Sequence, residues 1–403
     1  MTAVKKIIKG SALSICLIWL TACSSILRNP VPDGVYDQAS VLGRQDLRFW
    51  ANFEDKRHRV IMDREPDALR ATFGGIMNTE HHYLAVSGGG AEGAYGAGVL
   101  VGWSKLGTRP EFTMVTGVST GALTAPFAFL GEEYDDQLKT VYTTLNSSRV
   151  FFRRSIFSII RGDSVADNTP LLRMLEEYVD DQMIAAIARE YRKGRSLFIG
   201  TTNLDAGRGV IWNIGRIADT GHPDARGLIH QVMLASAAIP GVFPPAYIKV
   251  QSPDGKIYDE MHVDGGTSSQ MFLYPARLNW AELMQILQVE GVPTAYVIRN
   301  SRLEDEYRPV RARLANIAGR SVSTLIRTQG VGDAFRIAAL ANRDGVDLNL
   351  TWIPAEAPKN PGSEIFDPQY MSDLFEYGYQ RVIEGSVWTA VDLANLPTHQ
   401  LEE

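Results

Sequence analysis

From about residue 81 the chain repeatedly runs into a short apolar stretch, halts at glycine, and resumes on small apolar residues. Residues 82–87 read HYLAVS and are cut off by three glycines, and residues 112–118 read FTMVTGV and lead into Ser-Thr-Gly. Apolar runs this short, bounded by turn residues, are buried strands. The longer, small-residue stretches 93–106 and 120–130 read as helices between them. Residues 196–201, 210–214 and 294–299 add strands, and 227–238 a helix. Buried strands alternating with helices imply βαβ units and a mostly parallel sheet covered on both faces.

The segments around this core read differently. Residues 24–50 are rich in Pro, Ser, Asn and Gly and read as a tether or loop. Residues 51–75 carry dense mixed charge and read as a solvated, helical segment. After residue 300 the pattern is mostly helical. Leu314, Ile317, Ala318, Val322, Leu325 and Ile326 recur at helical spacing, which predicts one buried face. Val346, Leu348, Leu350 and Trp352 alternate as in a half-buried strand, and residues 366–384 read as a closing helix. The expected division is 1–22 as a signal segment, 23–80 as an anchored tether and N-terminal segment, 81–300 as the catalytic domain, and 301–403 as a helical C-terminal region. Residues 150–161 (VFFRRSIFSIIR) mix aromatics with arginine and no acid. They read either as a core helix with a charged rim or as a lipid-facing border of the site.

The first 23 residues read as an export signal. Lys5, Lys6 and Lys9 precede an apolar run over residues 10–22, too short to span a bilayer but long enough for a signal peptide. The run ends Leu20-Thr21-Ala22-Cys23, which resembles the lipobox of bacterial lipoproteins. That resemblance implies a lipidated Cys23, attachment to the cell envelope, and, with Ser24 following, the outer membrane where the host has one. The chain has two cysteines, Cys16 and Cys23, so the mature body would hold no disulfide. Net charge is -6. An acidic chain has no electrostatic footprint for nucleic acid, and its membrane contact needs an anchor or a local patch.

Three motifs carry chemistry. Gly117-Val118-Ser119-Thr120-Gly121 fits G-x-S-x-G between a strand and a helix, the setting in which a strained turn exposes a serine nucleophile. Gly88-Gly89-Gly90, with Gly93 after them, ends another buried strand, where backbone N–H groups at a helix start can receive an oxyanion. Gly88, Gly90 and Gly93 also fit a dinucleotide fingerprint, but the next strand ends in the serine motif rather than an acidic residue. Asp264-Gly265-Gly266 offers a carboxylate at a strand end. His262 and His230 are the candidates for a Ser-His-Asp triad, while His222 and His399 lie in polar segments. No metal or cofactor is expected.

Together the three motifs resemble the patatin-like phospholipase family, whose pattern is a Gly-Gly-Gly-x-Arg/Lys-Gly loop, a Gly-x-Ser-x-Gly elbow and an Asp-Gly-Gly/Ala base. Residues 87–93, 117–121 and 264–266 match in that order, and residues 235–245 (ASAAIPGVFPP) resemble the stretch between elbow and base. The resemblance implies a three-layer α/β fold with a mostly parallel sheet between helices, here with a C-terminal helical extension. It implies a Ser119–Asp264 dyad that hydrolyses lipid esters through an acyl-enzyme, with Gly88, Gly89 and Gly90 as the oxyanion loop. Position 92 departs from the pattern: it is Glu where the family has Arg or Lys. The alternatives are a triad esterase and a catalytically inactive envelope lipoprotein of the same fold.

Overall fold

The computed structural model describes residues 28–51, 65–144, 147–150, 152–153, 166–276, 278–304, 307, 309–362 and 364–391. Cys23, His399 and most of the 150–161 segment lie outside them. The main strands are β1 (Arg48–Trp50), β2 (Glu80–Val86), β3 (Met114–Val118), β4 (Ser196–Asn203), β5 (Arg208–Asn213), β6 (Ala246–Gln251), β7 (Ile257–Asp264), β8 (Glu290–Arg299), β9 (Asp347–Trp352) and β10 (Thr389–Ala390). The helices named below are α1 (Pro66–Phe73), α2 (Gly93–Lys105), α3 (Thr120–Leu130), α4 (Asp135–Thr144), α5 (Thr169–Tyr178), α6 (Asp181–Arg192), α7 (Ala225–Ser236), α8 (Trp280–Leu287), α9 (Leu314–Asp344) and α10 (Pro368–Ile383).

The sheet runs β1-β5-β4-β3-β2-β8-β9-β10, and β7 joins β4 and carries β6. Its middle five strands, β4 to β9 in that order, are parallel, and its margins are antiparallel. Side-chain alternation sorts the central strands between two cores. Leu84 and Val86 face α2, α3, α4 and α10, while Tyr83 and Ala85 face α8 and the second half of α9. Helix α10 lies against α2 closely enough that a Cβ at Gly98 would collide with the Phe375 carbonyl. This is the layered α/β arrangement that the strand–helix alternation predicts.

Three expectations need correction. The stretch expected to be a tether packs onto the body in its second half: Leu47 and Trp50 are buried and β1 forms an antiparallel edge on β5. Arg48 drives this, because its guanidinium makes a bidentate ion pair with buried Glu260 and lies 5.1 Å from the Trp212 ring centroid. A boundary at 300 does not divide the sheet, since β9 continues it in parallel register with β8. Finally, the apolar face at the start of α9 is exposed. Leu314 is 86% and Leu325 69% accessible. The buried part of α9 comes later, at Ala334, Ile337, Ala338 and Ala341.

Candidate active site

Strand register brings the serine and the carboxylate together. Strand β3 ends with Val118 opposite Gly200 of β4. Strand β4 runs on, and its next residue, Thr201, pairs with Asp264 of β7. Asp264 therefore takes the place in the sheet that Ser119 would occupy if β3 continued. A Cβ on Gly265 would run into the Gly200 carbonyl, so only glycine lets β7 turn away this close to β4.

Ser119 has φ 55° and ψ −124°, a left-handed backbone that a residue with a side chain adopts only under constraint. The constraint is the crossing of α3 over β2 and β3. A Cβ at Gly121 would strike the Val86 carbonyl and one at Gly117 the Gly121 carbonyl. The Ser119 N–H donates to Ser236 Oγ at 2.9 Å, and Ser236 Oγ–H donates to the Gly200 carbonyl at 2.6 Å. Both Ser119 and Asp264 are buried, 7% and 6% exposed.

Asp264 Oδ1 accepts the Gly266 N–H at 2.7 Å, and the Ser119 hydroxyl is near enough to favour the charged form of the carboxylate. Burial raises the Asp264 pKa from 3.8 to about 6, and Ser119 and the Gly266 N–H offset only part of that. The Asp264 N–H donates to the Ala238 carbonyl at 2.9 Å. The end of α7 thus holds the serine through Ser236, and the stretch after it holds the aspartate through Ala238.

The glycine loop lies beside the serine: a Cβ on Gly88 would sit 3.1 Å from Ser119 Cβ and 3.8 Å from its Oγ. The Gly88 N–H donates to the Gln270 carbonyl at 3.2 Å, so one of the three expected anion donors is engaged. The N–H groups of Gly89 and Gly90 have no partner among the described residues. Asn300, fully buried after β8, clamps the loop from below. Its N–H donates to Ser87 Oγ at 2.8 Å, its Nδ2 to the Ser87 carbonyl at 3.1 Å, and its Oδ1 accepts the Gly96 N–H at 3.0 Å. Gln270 closes the other side through Nε2 to the Gly266 carbonyl at 2.8 Å. Asp333 of α9 holds that turn: its Oδ2 accepts the Gln270 N–H at 2.6 Å and the Ser269 hydroxyl at 3.0 Å.

Glu92 lies near the Tyr370 hydroxyl and, after burial, helps to raise its pKa. It also shares its surroundings with Arg299, a buried cation at the end of β8 whose pKa burial lowers to about 10 against the pull of Asp333 and Glu92. A positive charge therefore stands beside the loop, from β8 rather than from position 92.

The histidines are committed elsewhere. His262 is fully buried between Thr201 Oγ1 at 3.0 Å and Glu260 Oε2 at 2.9 Å, and burial lowers its pKa. His230 Nε2 pairs with the Val179 carbonyl at 2.7 Å. His222 is exposed and pairs with its neighbour Asp224. Ser236 falls in the 235–245 stretch that resembles the family, and Gln270, Asn300 and Asp333 carry no motif. The one sequence signal for Asn300 and Asp333 is a polar residue set into an otherwise apolar strand end or helix face. An apolar cavity of about 360 Å³, lined by Phe49, Met114, Phe198, Phe272, Trp280 and Met284, lies toward the starts of β3 and β4, away from Ser119.

The fold has distant likenesses among solved structures. The crystal structure of VipD from Legionella pneumophila aligns at 13% identity, over 78% of this chain and 68% of that one, with a TM-score of 0.37. The crystal structure of the type III effector protein ExoU aligns at 13% identity, over 76% of this chain and 53% of that one, with a TM-score of 0.31. The chain thus spans about half of ExoU. No curated protein matches it in sequence. Residues 84–277, which hold the glycine loop, Ser119 and Asp264, match the family model Patatin-like phospholipase, so the stretch that holds all three motifs is similar to a family of enzymes.

Proposed function

We propose that the chain hydrolyses lipid carboxylic esters through a Ser119–Asp264 dyad. The observation that carries this reading is a strained serine set by strand register beside a buried carboxylate that burial has made more basic. Asp264 takes the Ser119 proton as Oγ attacks the ester carbonyl, and the Gly89 and Gly90 N–H groups receive the developing oxyanion. The tetrahedral adduct collapses to an acyl-serine, and the alcohol leaves with the proton from Asp264. Water, deprotonated by Asp264, then attacks the acyl-serine and releases the acid. We also propose that the chain is a lipoprotein held in the cell envelope through an acylated Cys23; intact mass of the envelope-extracted protein, showing acyl groups on an N-terminal Cys23, tests this.

The dyad is tested on a soluble short-chain ester and on phospholipid and lysophospholipid dispersions. Ser119→Ala and Asp264→Asn each lower kcat about a thousandfold or more, and the double variant is little worse, because members of one catalytic unit are not additive. Full activity in Asp264→Asn with loss in His262→Gln or His230→Gln would overturn the dyad for a triad. A parent chain inactive on every ester leaves a fold kept for binding.

A further inference from the structure

The first half of α9 stands away from the body. From Leu314 to Ile326 every described side chain except Arg320 is exposed. A helix of this length with so little of its apolar face packed is marginal in water, since most helical stability in proteins comes from packing such a face. That face is present. At about 100° per residue, Leu314, Ala318 and Leu325 fall within about 40° of one another, with Ile317 on one flank and Val322 and Ile326 on the other. Tyr307 and Val310, at 92% and 43% exposure, extend the apolar surface ahead of the helix.

The charge of this segment is opposite to that of the chain. Residues 307–332 contain Arg308, Arg311, Arg313, Arg320 and Arg327 and no acid, although Glu304, Asp305 and Glu306 precede them and the chain's net charge is -6. Arg308, Arg311 and Arg313 come just before the helix, and Arg320 and Arg327 lie on its face away from the stripe. The helix is also rooted at the site. Arg299 Nη2 donates to the Arg327 carbonyl at 3.3 Å, and one turn and a half further on Asp333 holds the Gln270 turn beside Gly88. At about 1.5 Å per residue, Leu325 lies roughly 12 Å along the axis from Asp333 and Leu314 roughly 28 Å.

We propose that the first half of α9 is an interfacial helix that docks on an anionic lipid surface and sets the Ser119 site against it. An apolar stripe on a segment with five arginines and no acid fits the boundary between acyl chains and anionic headgroups. A second copy of the chain is the poorer occupant, because a two-fold pairing would set one basic segment against another. The inference rests on the lipid-ester reading for its substrate, but its surface is measured without turnover.

The experiment uses the full chain with Ser119→Ala, and Cys23→Ser so that no acyl group on residue 23 contributes. It is co-sedimented with vesicles of phosphatidylglycerol and phosphatidylcholine, equimolar, and of phosphatidylcholine alone. The chain prefers the anionic vesicles. Adding Leu314→Gln and Leu325→Gln, which preserve helix propensity, weakens binding about tenfold or more through lost apolar burial. Adding Arg311→Gln and Arg313→Gln instead removes much of the preference for phosphatidylglycerol. With Ser119 restored, the leucine variant turns over a soluble ester like its parent and vesicle phospholipid about tenfold more slowly. Vesicle binding unchanged by the leucine substitutions overturns the proposal. So does sedimentation velocity showing a dimer that those substitutions dissolve. Loss of the vesicle effects with soluble-ester turnover intact sinks the helix and spares the hydrolase; no turnover with vesicle binding intact does the reverse.

Discussion

Asp264 is a carboxylate with 6% of its surface exposed, and its bonds to Gly266 and Ala238 leave it little freedom. Leu325 is an apolar side chain 69% exposed on a helix that touches little else along that stretch. Each residue sits in the environment that water alone would deny it. The serine–aspartate end holds a polar group in a buried site by supplying partners that offset part of its desolvation. The first half of α9 holds apolar groups in water and supplies no cover within the described residues. Buried strain of the first kind belongs to chemistry on a bound molecule, whereas exposed apolar area of the second kind belongs to a surface still to be met.

The two halves of α9 give the largest test of this contrast. Ile337 is 1% exposed in the core under β8 and β9, and Ile317 is 50% exposed. Ile337→Ala should cost about 2–5 kcal/mol of unfolding free energy, and Ile317→Ala no more than about 0.5 kcal/mol. Urea unfolding of both variants measures the difference. An Ile317 cost near that of Ile337 would mean the stripe is packed in the free protein, and the contrast would collapse.

A difference in how far apart contacts lie decides what could be read from the sequence. The elbow is local: FTMVT makes the strand, Gly117 and Gly121 permit the crossing, and Ser119 is caught between them. Asp264 is marked by its strand end and the two glycines that follow. The braces are not local. Ser236 reaches Ser119 across 117 residues and Asn300 reaches Ser87 across 213, so neither pairing leaves a spacing to find. Strand β1 is three residues long and is held by Arg48 on Glu260, 212 residues away, which is why its stretch reads as a tether. Helical spacing at 314–326 correctly gives a helix with an apolar face. It predicts burial wrongly because periodicity reports which side is apolar and not what covers it. Glu92 reads as a lost positive charge because Arg299, which stands beside the loop, comes from another strand.

The pH dependence of Asp264 sharpens the catalytic side of the contrast. Its pKa is about 6 in the fold against an ordinary 3.8, so the native state holds the proton more tightly than the unfolded chain. The contribution to stability is fully present below about pH 4 and is lost as pH rises through about 6. The shift corresponds to on the order of 3 kcal/mol above that window. Asp264→Asn, which stays neutral, should therefore match its parent in stability near pH 4 and exceed it by up to that amount at pH 8. Activity of the parent runs the other way, since the base must be ionised, and kcat should rise through about pH 6 and level off. Melting curves across pH check the first expectation and pH–rate profiles the second. A variant less stable than its parent at pH 8 would show that the carboxylate is not held against its own desolvation.

The smallest effect falls where the two regions meet. Asp333 is buried on α9, and burial raises its pKa even though Arg336, at 3.1 Å, and the Gln270 N–H lower it. It touches none of the groups that would react; it fixes the turn whose Gln270 carbonyl engages Gly88 and whose Nε2 engages Gly266. Asp333→Asn keeps a carbonyl oxygen for the Gln270 N–H but loses the charge and turns an amide toward Arg336. The lost charge-assisted bonds amount to about 1–2 kcal/mol. If that loss falls on the geometry of the loop, kcat on a soluble ester drops about tenfold while KM holds, because the turn positions the site rather than binding the ester. Vesicle binding through Leu314 and Leu325 should be untouched, since those residues lie on the far side of Asp333 along the helix. A drop in vesicle affinity without a change in kcat would reverse these assignments and make the root of α9 part of the lipid surface instead of the catalytic loop.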